Sequence, residues 1–138
     1  MSPLPRISVL AAVLSAGMVL PLQAQESPWD IDDIRLGLIE VGTAYQITED
    51  CHRASPRKLR GISTLWKLHR KARAEGFSSE VIDAFVESEV HKTRLEKAVW
   101  ARLSRHGASP GDPQSICKAA EIEQRQNTLA GSLLHLSR

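Results

Sequence analysis

Residues 55–76 read "SPRKLRGISTLWKLHRKARAEG", and the repeat of their apolar side chains decides the fold. At about 100° per residue, Leu59, Ile62, Leu65, Trp66, Leu68 and Ala72 share one arc of a helix. Arg57, Arg60, Lys67, Arg70 and Lys71 fill the opposite arc, so the stretch is an amphipathic helix with a basic outer side. Ser55 stands where an N-cap is expected, Pro56 at the first helical position and Gly76 at the C-terminal stop.

The same signals recur outward from it. Upstream, "SPWDIDD" begins a helix at Ser27 and Pro28, with acids in the opening turn where the helix dipole favours them. Ile31, Ile34, Leu38, Val41 and Tyr45 form its apolar stripe, and it ends or bends around Glu49–Asp50, which lets Cys51 turn inward. Downstream, a third helical segment runs from Ser78 or Ser79 to His106, with Gly107 closing it and a polar mid-section, "SEVHKTRLEK", that allows a bend. The loop "GASPGDPQS" leads through Asp112 and Pro113 into a last helix over "AAEIEQRQNTLAGSLLHL". Nothing reads as a strand. Trp29, Trp66 and Trp100 lack a surrounding repeat and are expected to anchor the core, one on each of the first three helices. The expected fold is all-α: a small bundle of about four helices.

The N-terminus "MSPLPRISVLAAVLSAGMVLPLQAQESPW" has the layout of a secretory signal peptide. Arg6 gives a positive start, Ile7–Leu20 is uncharged and apolar, Pro21 breaks it, and cleavage is expected after Ala24. The 14-residue apolar run is shorter than the ~20 residues a bilayer span needs. Residues 1–24 are thus expected to be removed, leaving residues 25–138 as one helical domain in the periplasm or outside the cell.

Export changes how two cysteines are read. In an oxidising compartment an even count favours a disulfide, here Cys51–Cys117. Two buried free thiols are the alternative, while redox catalysis lacks a Cys-x-x-Cys. Closing a loop of about 67 residues is worth roughly 4 kcal/mol in the chain-entropy account.

Charge is small overall, +2 for the whole chain, but strongly segregated. Residues 26–50 carry seven acids against Arg35, and residues 51–74 carry eight basic groups and no acid. Three functional readings follow. The first is a non-enzymatic binding module whose basic face, Arg57, Arg60, Lys67, Arg70 and Lys71, docks an acidic protein surface or an anionic envelope lipid. In the second, that face is solvated or packs beside the acidic first helix. The third is an enzyme with an unrecognised cleft. Nucleic acid is excluded as a partner by export and by the lack of a stacking platform.

No catalytic motif is found. There is no phosphate-binding glycine loop, nucleophile elbow, haem-attachment or His-Glu-x-x-His pattern, and the five histidines show no i, i+4 pairing. No catalytic residue, metal ligand or cofactor is expected. A Cys51–His52 metal site would need a free thiol, and His69, at the edge of the apolar arc, reads as a partly buried structural histidine.

Four stretches together, "EDCHRASPRKLRG" (49–61), "EGFSSEVIDAFVES" (75–88), "GASPGDPQSICKAAEIE" (107–123) and "GSLLHLSR" (131–138), carry a resemblance. The chain resembles a family of short exported proteobacterial two-cysteine helical proteins that constitute a domain of unknown function. The Gly-x-x-Pro-x-Asp-Pro-x-x-x-Cys loop at 107–117 is the most specific part; "KAAEIE" after Cys117 departs from the pattern. The resemblance implies the two-cysteine helical architecture and adds no activity.

Overall fold

The computed structural model describes residues 27–138; the expected signal peptide lies outside the described residues. A 3-10 turn, Pro28–Asp30, leads into α1 (Asp32–Asp50), β1 (Ala54–Pro56), α2 (Lys58–Ala74) and α3 (Ser79–Glu87). Then come α4 (Glu89–Arg105), α5 (Pro113–Arg125), the short α6 (Leu129–Ser132) and β2 (Leu134–Leu136). The domain is predominantly helical, with four long helices and two short ones. Cys51 and Cys117 are joined in a disulfide.

α1 is the spine, and it changes partners along its length. Its first half places Ile34 against Ala72 of α2 and Ile82 of α3, with Ile31, Leu38 and Phe77 around them. Its second half places Ala44, Ile47 and Cys51 against Val99, Leu103, Ile116, Cys117 and Leu134. The line 44–47–51 keeps the i, i+3, i+7 spacing of one helix face, so Cys51, directly after the last helical residue, points into the core. Tyr45, expected to end the apolar stripe, is exposed instead, because the second core lies on a neighbouring face of α1. Two glycines let α1 approach its partners. A Cβ at Gly37 would come 2.5 Å from Leu68 Cδ2 on α2, and one at Gly42 would come 2.9 Å from Val99 Cγ2 on α4.

The absence of strands is corrected. Ala54–Pro56 pairs antiparallel with Leu134–Leu136, Ser55 facing His135. A proline after the cap is no obstacle, as Ser27–Pro28 and Asp112–Pro113 show; it is the pairing with His135 that makes Ser55 a strand residue rather than a cap. The Arg57 N–H then donates to Leu133 O at 2.8 Å, and α2 begins at Lys58 with no side-chain cap. The expected third helix is two. Ser88, extended at φ −67° and ψ 121°, ends α3 and caps α4, its hydroxyl accepting from His91 N. The expected last helix also breaks. Asn127 takes a positive φ of 52° after α5, and Thr128 caps α6 by accepting from Gly131 N. Between α4 and α5, Asp112 caps as expected, accepting from Ser115 N.

The tryptophans divide. Trp100 packs beside the larger core and Trp29 is half-buried under Arg94, whose guanidinium lies 5.7 Å from the ring centroid. Trp66 does not anchor the core at all: it is 57% exposed.

Candidate functional site

The apolar arc of α2 is only half used. Thr64, Leu68 and Ala72 turn inward, Leu68 against Gly37 of α1, and small or polar residues make up most of that buried side. Leu59 is 86% exposed, Ile62 53%, Leu65 46% and Trp66 57%. A domain of this size gains from burying each such side chain by about 1.5–3 kcal/mol, so four left open along one helix is a costly arrangement for an isolated fold. Scattered exposed apolar residues are ordinary; a continuous stripe marks an interaction surface.

The stripe borders a groove of about 540 Å³. Ile34 and Leu38 of α1 line it, with Leu65, Trp66 and His69 on the α2 side and Phe85 and Val86 on the α3 side. His69 is half-buried and meets the Trp66 ring edge-on, centroids 5.7 Å apart. Its edges differ in charge. Arg70 lies one turn beyond Trp66 on α2, whereas Arg73, near the end of the helix, donates to Phe77 O at 3.2 Å and its charge acts on Glu80 of α3. On α3, Asp83 lines the groove, while Glu80 and Glu87 are exposed on the same helix.

The five basic residues expected to form one docking face do not act together. Lys71 is paired with Asp33 of α1 at 2.8 Å, which lowers the Asp33 pKa and raises that of Lys71, in both cases chiefly through their hydrogen bond. Arg57 Nε donates to Leu134 O at 2.9 Å, and Arg60 Nη1 donates to Ser132 O at 3.0 Å, so both lie against the C-terminal segment. Lys67 and Arg70 are exposed and make no ion pair among the described residues. The acid–base seam between α1 and α2 is thus a single exposed pair.

A second constellation was not visible in sequence. Glu123 on α5 is completely buried, yet it carries a charge. Arg102 of α4 donates to it from Nε at 2.7 Å and from Nη2 at 2.8 Å. Thr128 Oγ1 also donates to it, and His106 Nε2 lies 3.0 Å from its Oε1. Burial pushes its pKa up, but the Arg102 and Thr128 hydrogen bonds, the Arg102 charge and His106 outweigh this and hold it at about 2. Arg102 in turn is raised, first by its hydrogen bond to Glu123. Its Nη1 also donates to Glu40 at 2.7 Å, and Glu40 accepts from the Ala130 N–H at 2.6 Å. The network therefore ties α1, α4, α5 and α6 into one body. Its carboxylate is closed to solvent and fully hydrogen-bonded, the state of a structural ion rather than of a proton donor. Glu123 directly follows the Glu121-Ile122 pair, where nothing in the pattern distinguishes a buried acid from a solvated one.

Among the described residues no group of three or more His, Cys, Asp or Glu side chains is placed to hold a metal ion. None of their helices is long and apolar enough to cross a membrane.

A disulfide-closed helical domain with a charged core and an open apolar groove is the class these features define. Residues 27–135 match the family of unknown function DUF5333, and the protein belongs to that family. Neither a curated protein nor a solved structure matches the chain.

Proposed function

We propose that the protein is an exported, non-enzymatic binding module that holds an amphipathic helix of a partner protein in the groove between α1, α2 and α3. The supporting observation is the exposed stripe Leu59–Ile62–Leu65–Trp66 along an apolar groove. The partner helix lays its apolar side into the groove, the helix-in-groove mode. Its charge follows from the edges: carboxylates face Arg70 on the α2 side, and basic groups face Asp83 on the α3 side. This keeps the acidic partner expected from the sequence and moves its contact from the outer basic face to the rim of the groove. The reading as a binder is supported by Glu123, whose charge is spent inside the core. Export is supported by the leader pattern and suits a protein closed by a disulfide. Fractionation with N-terminal sequencing tests that part; a mature start at Gln25 is expected, and an intact leader on cytoplasmic protein refutes it.

The groove is tested with two synthetic amphipathic helices that differ only in whether the α2-facing edge is acidic or basic. With Trp29→Phe and Trp100→Phe in place, Trp66 fluorescence reports binding. The acid-edged helix binds and the base-edged helix does not, and Arg70→Glu inverts the preference. Equal binding of both, or of neither, refutes the proposal. Light scattering that shows a dimer abolished by Trp66→Ser assigns the face to a second copy instead. Binding to anionic vesicles alone assigns it to a lipid surface.

A further inference from the structure

We infer that the cleft beside Arg57 and Arg60, at the N-terminal end of α2, binds a phosphate group. Arg57 and Arg60 line a cleft of about 380 Å³ together with Gln124, Asn127 and Thr128. No carboxylate lines it, and among the described residues neither arginine forms an ion pair. Two uncompensated guanidinium charges, one helical turn apart, therefore face a single concave polar surface.

Each arginine is fixed by one N–H and keeps the others. Arg57 spends its Nε on Leu134 O, leaving both terminal nitrogens, and Arg60 spends Nη1 on Ser132 O, leaving Nε and Nη2. Anchoring by a carbonyl orients the planar fork without neutralising it. An anion then meets donors whose side-chain entropy has already been given up. Gln124 beside them spends both N–H groups of its amide on the chain, on Leu134 O at 3.1 Å and on Gly131 O at 3.4 Å, and so frames the cleft without offering it a donor. The Asn127 side chain supplies further N–H donors at the cleft, held there by the left-handed turn that separates α5 from α6. Two guanidinium groups, each oriented by a carbonyl and each with N–H groups left, at a cleft that no carboxylate lines, fit a tetrahedral oxyanion with two or more free oxygens, a phosphate monoester or diester. That group could be carried by a soluble phosphate or by a lipid headgroup. The site is separate from the helix-binding groove, so either can fail without the other.

The purified protein is titrated with inorganic phosphate, with glycerol 3-phosphate and with phosphatidylcholine vesicles with and without phosphatidylglycerol. Binding is followed by calorimetry and by nuclear magnetic resonance of the arginine Nε and asparagine side-chain signals. Saturable binding that shifts Arg57, Arg60 and Asn127 is expected, weakened about tenfold or more by Arg60→Gln and unaffected by Lys97→Gln on α4. Response to the soluble phosphates identifies a small ligand, and response to the phosphatidylglycerol vesicles alone identifies the headgroup. Should Arg60→Gln loosen the C-terminal strand, the shift map of the unaltered protein decides. The absence of shifts at these three residues with every probe overturns the site, as does equal weakening by Lys97→Gln.

Discussion

Acidification should unfold this domain through one residue, Glu123. Its pKa falls from an ordinary 4.5 to about 2 on folding. At about 1.4 kcal/mol per pH unit, that drop is worth roughly 3 kcal/mol of stability. Because the folded value is depressed, the contribution is fully present above pH 4.5 and is lost as pH falls toward 2. A domain of this size has about 5–15 kcal/mol in all, so the loss is a large share of the total. Glu123→Gln keeps the shape but removes the charge that two Arg102 hydrogen bonds oppose. Leaving a buried guanidinium short of a partner typically costs about 3–5 kcal/mol. Urea denaturation followed by circular dichroism from pH 7 to pH 2 measures both effects. The variant should be less stable at neutral pH, and its stability should change much less across the acidic range. Asp33, Glu80 and Glu121 are also lowered, but the first two are exposed and Glu121 is half-exposed, so their hydrogen bonds compete with water. A Glu123→Gln variant that loses stability in acid as steeply as the parent would refute the assignment.

Three further outcomes follow from the packing. Reducing the Cys51–Cys117 bond, which closes a separation of 66 residues, should lower the unfolding free energy by roughly 4 kcal/mol, read as a fall in melting temperature with reductant. Gly131→Ala places a Cβ 2.5 Å from Glu123 O, a backbone atom that cannot swing aside; we expect a loss of about 1–3 kcal/mol, while Gly61→Ala, with open space around it, is neutral or stabilising. Leu59→Ser and Trp66→Ser should change the stability of the isolated protein by no more than about 0.5 kcal/mol, since both side chains are exposed; a large loss in a urea titration would return them to the core.

Local rules predicted the helices well where chain neighbours decide the outcome. Ser27, Asp112 and the disulfide were legible because each is a short-range or compositional signal. Ser88 was not read as a cap because its neighbours keep helical spacing across the break, although a serine before an acid is itself a cap signal. Ser55 looked like a cap, and only pairing with Leu134–Leu136, some eighty residues away, makes it a strand residue. The apolar arc of α2 was legible as an arc, but the fraction of it that α1 would cover was not. That fraction depends on the close approach at Gly37, where Leu68 lies against the α1 backbone. Glu123 was illegible for a related reason. Its partners lie on α4 and at Thr128, and no spacing on α5 announces them.

The most direct test of the open groove is a nuclear Overhauser map of the protein with the acid-edged amphipathic helix bound. Contacts from the methyl groups of that helix to Ile62, Leu65 and Val86, three side chains that line the groove, are the expected result. Contacts confined to Leu36 and Tyr45, the exposed apolar residues on α1 outside it, would contradict the account.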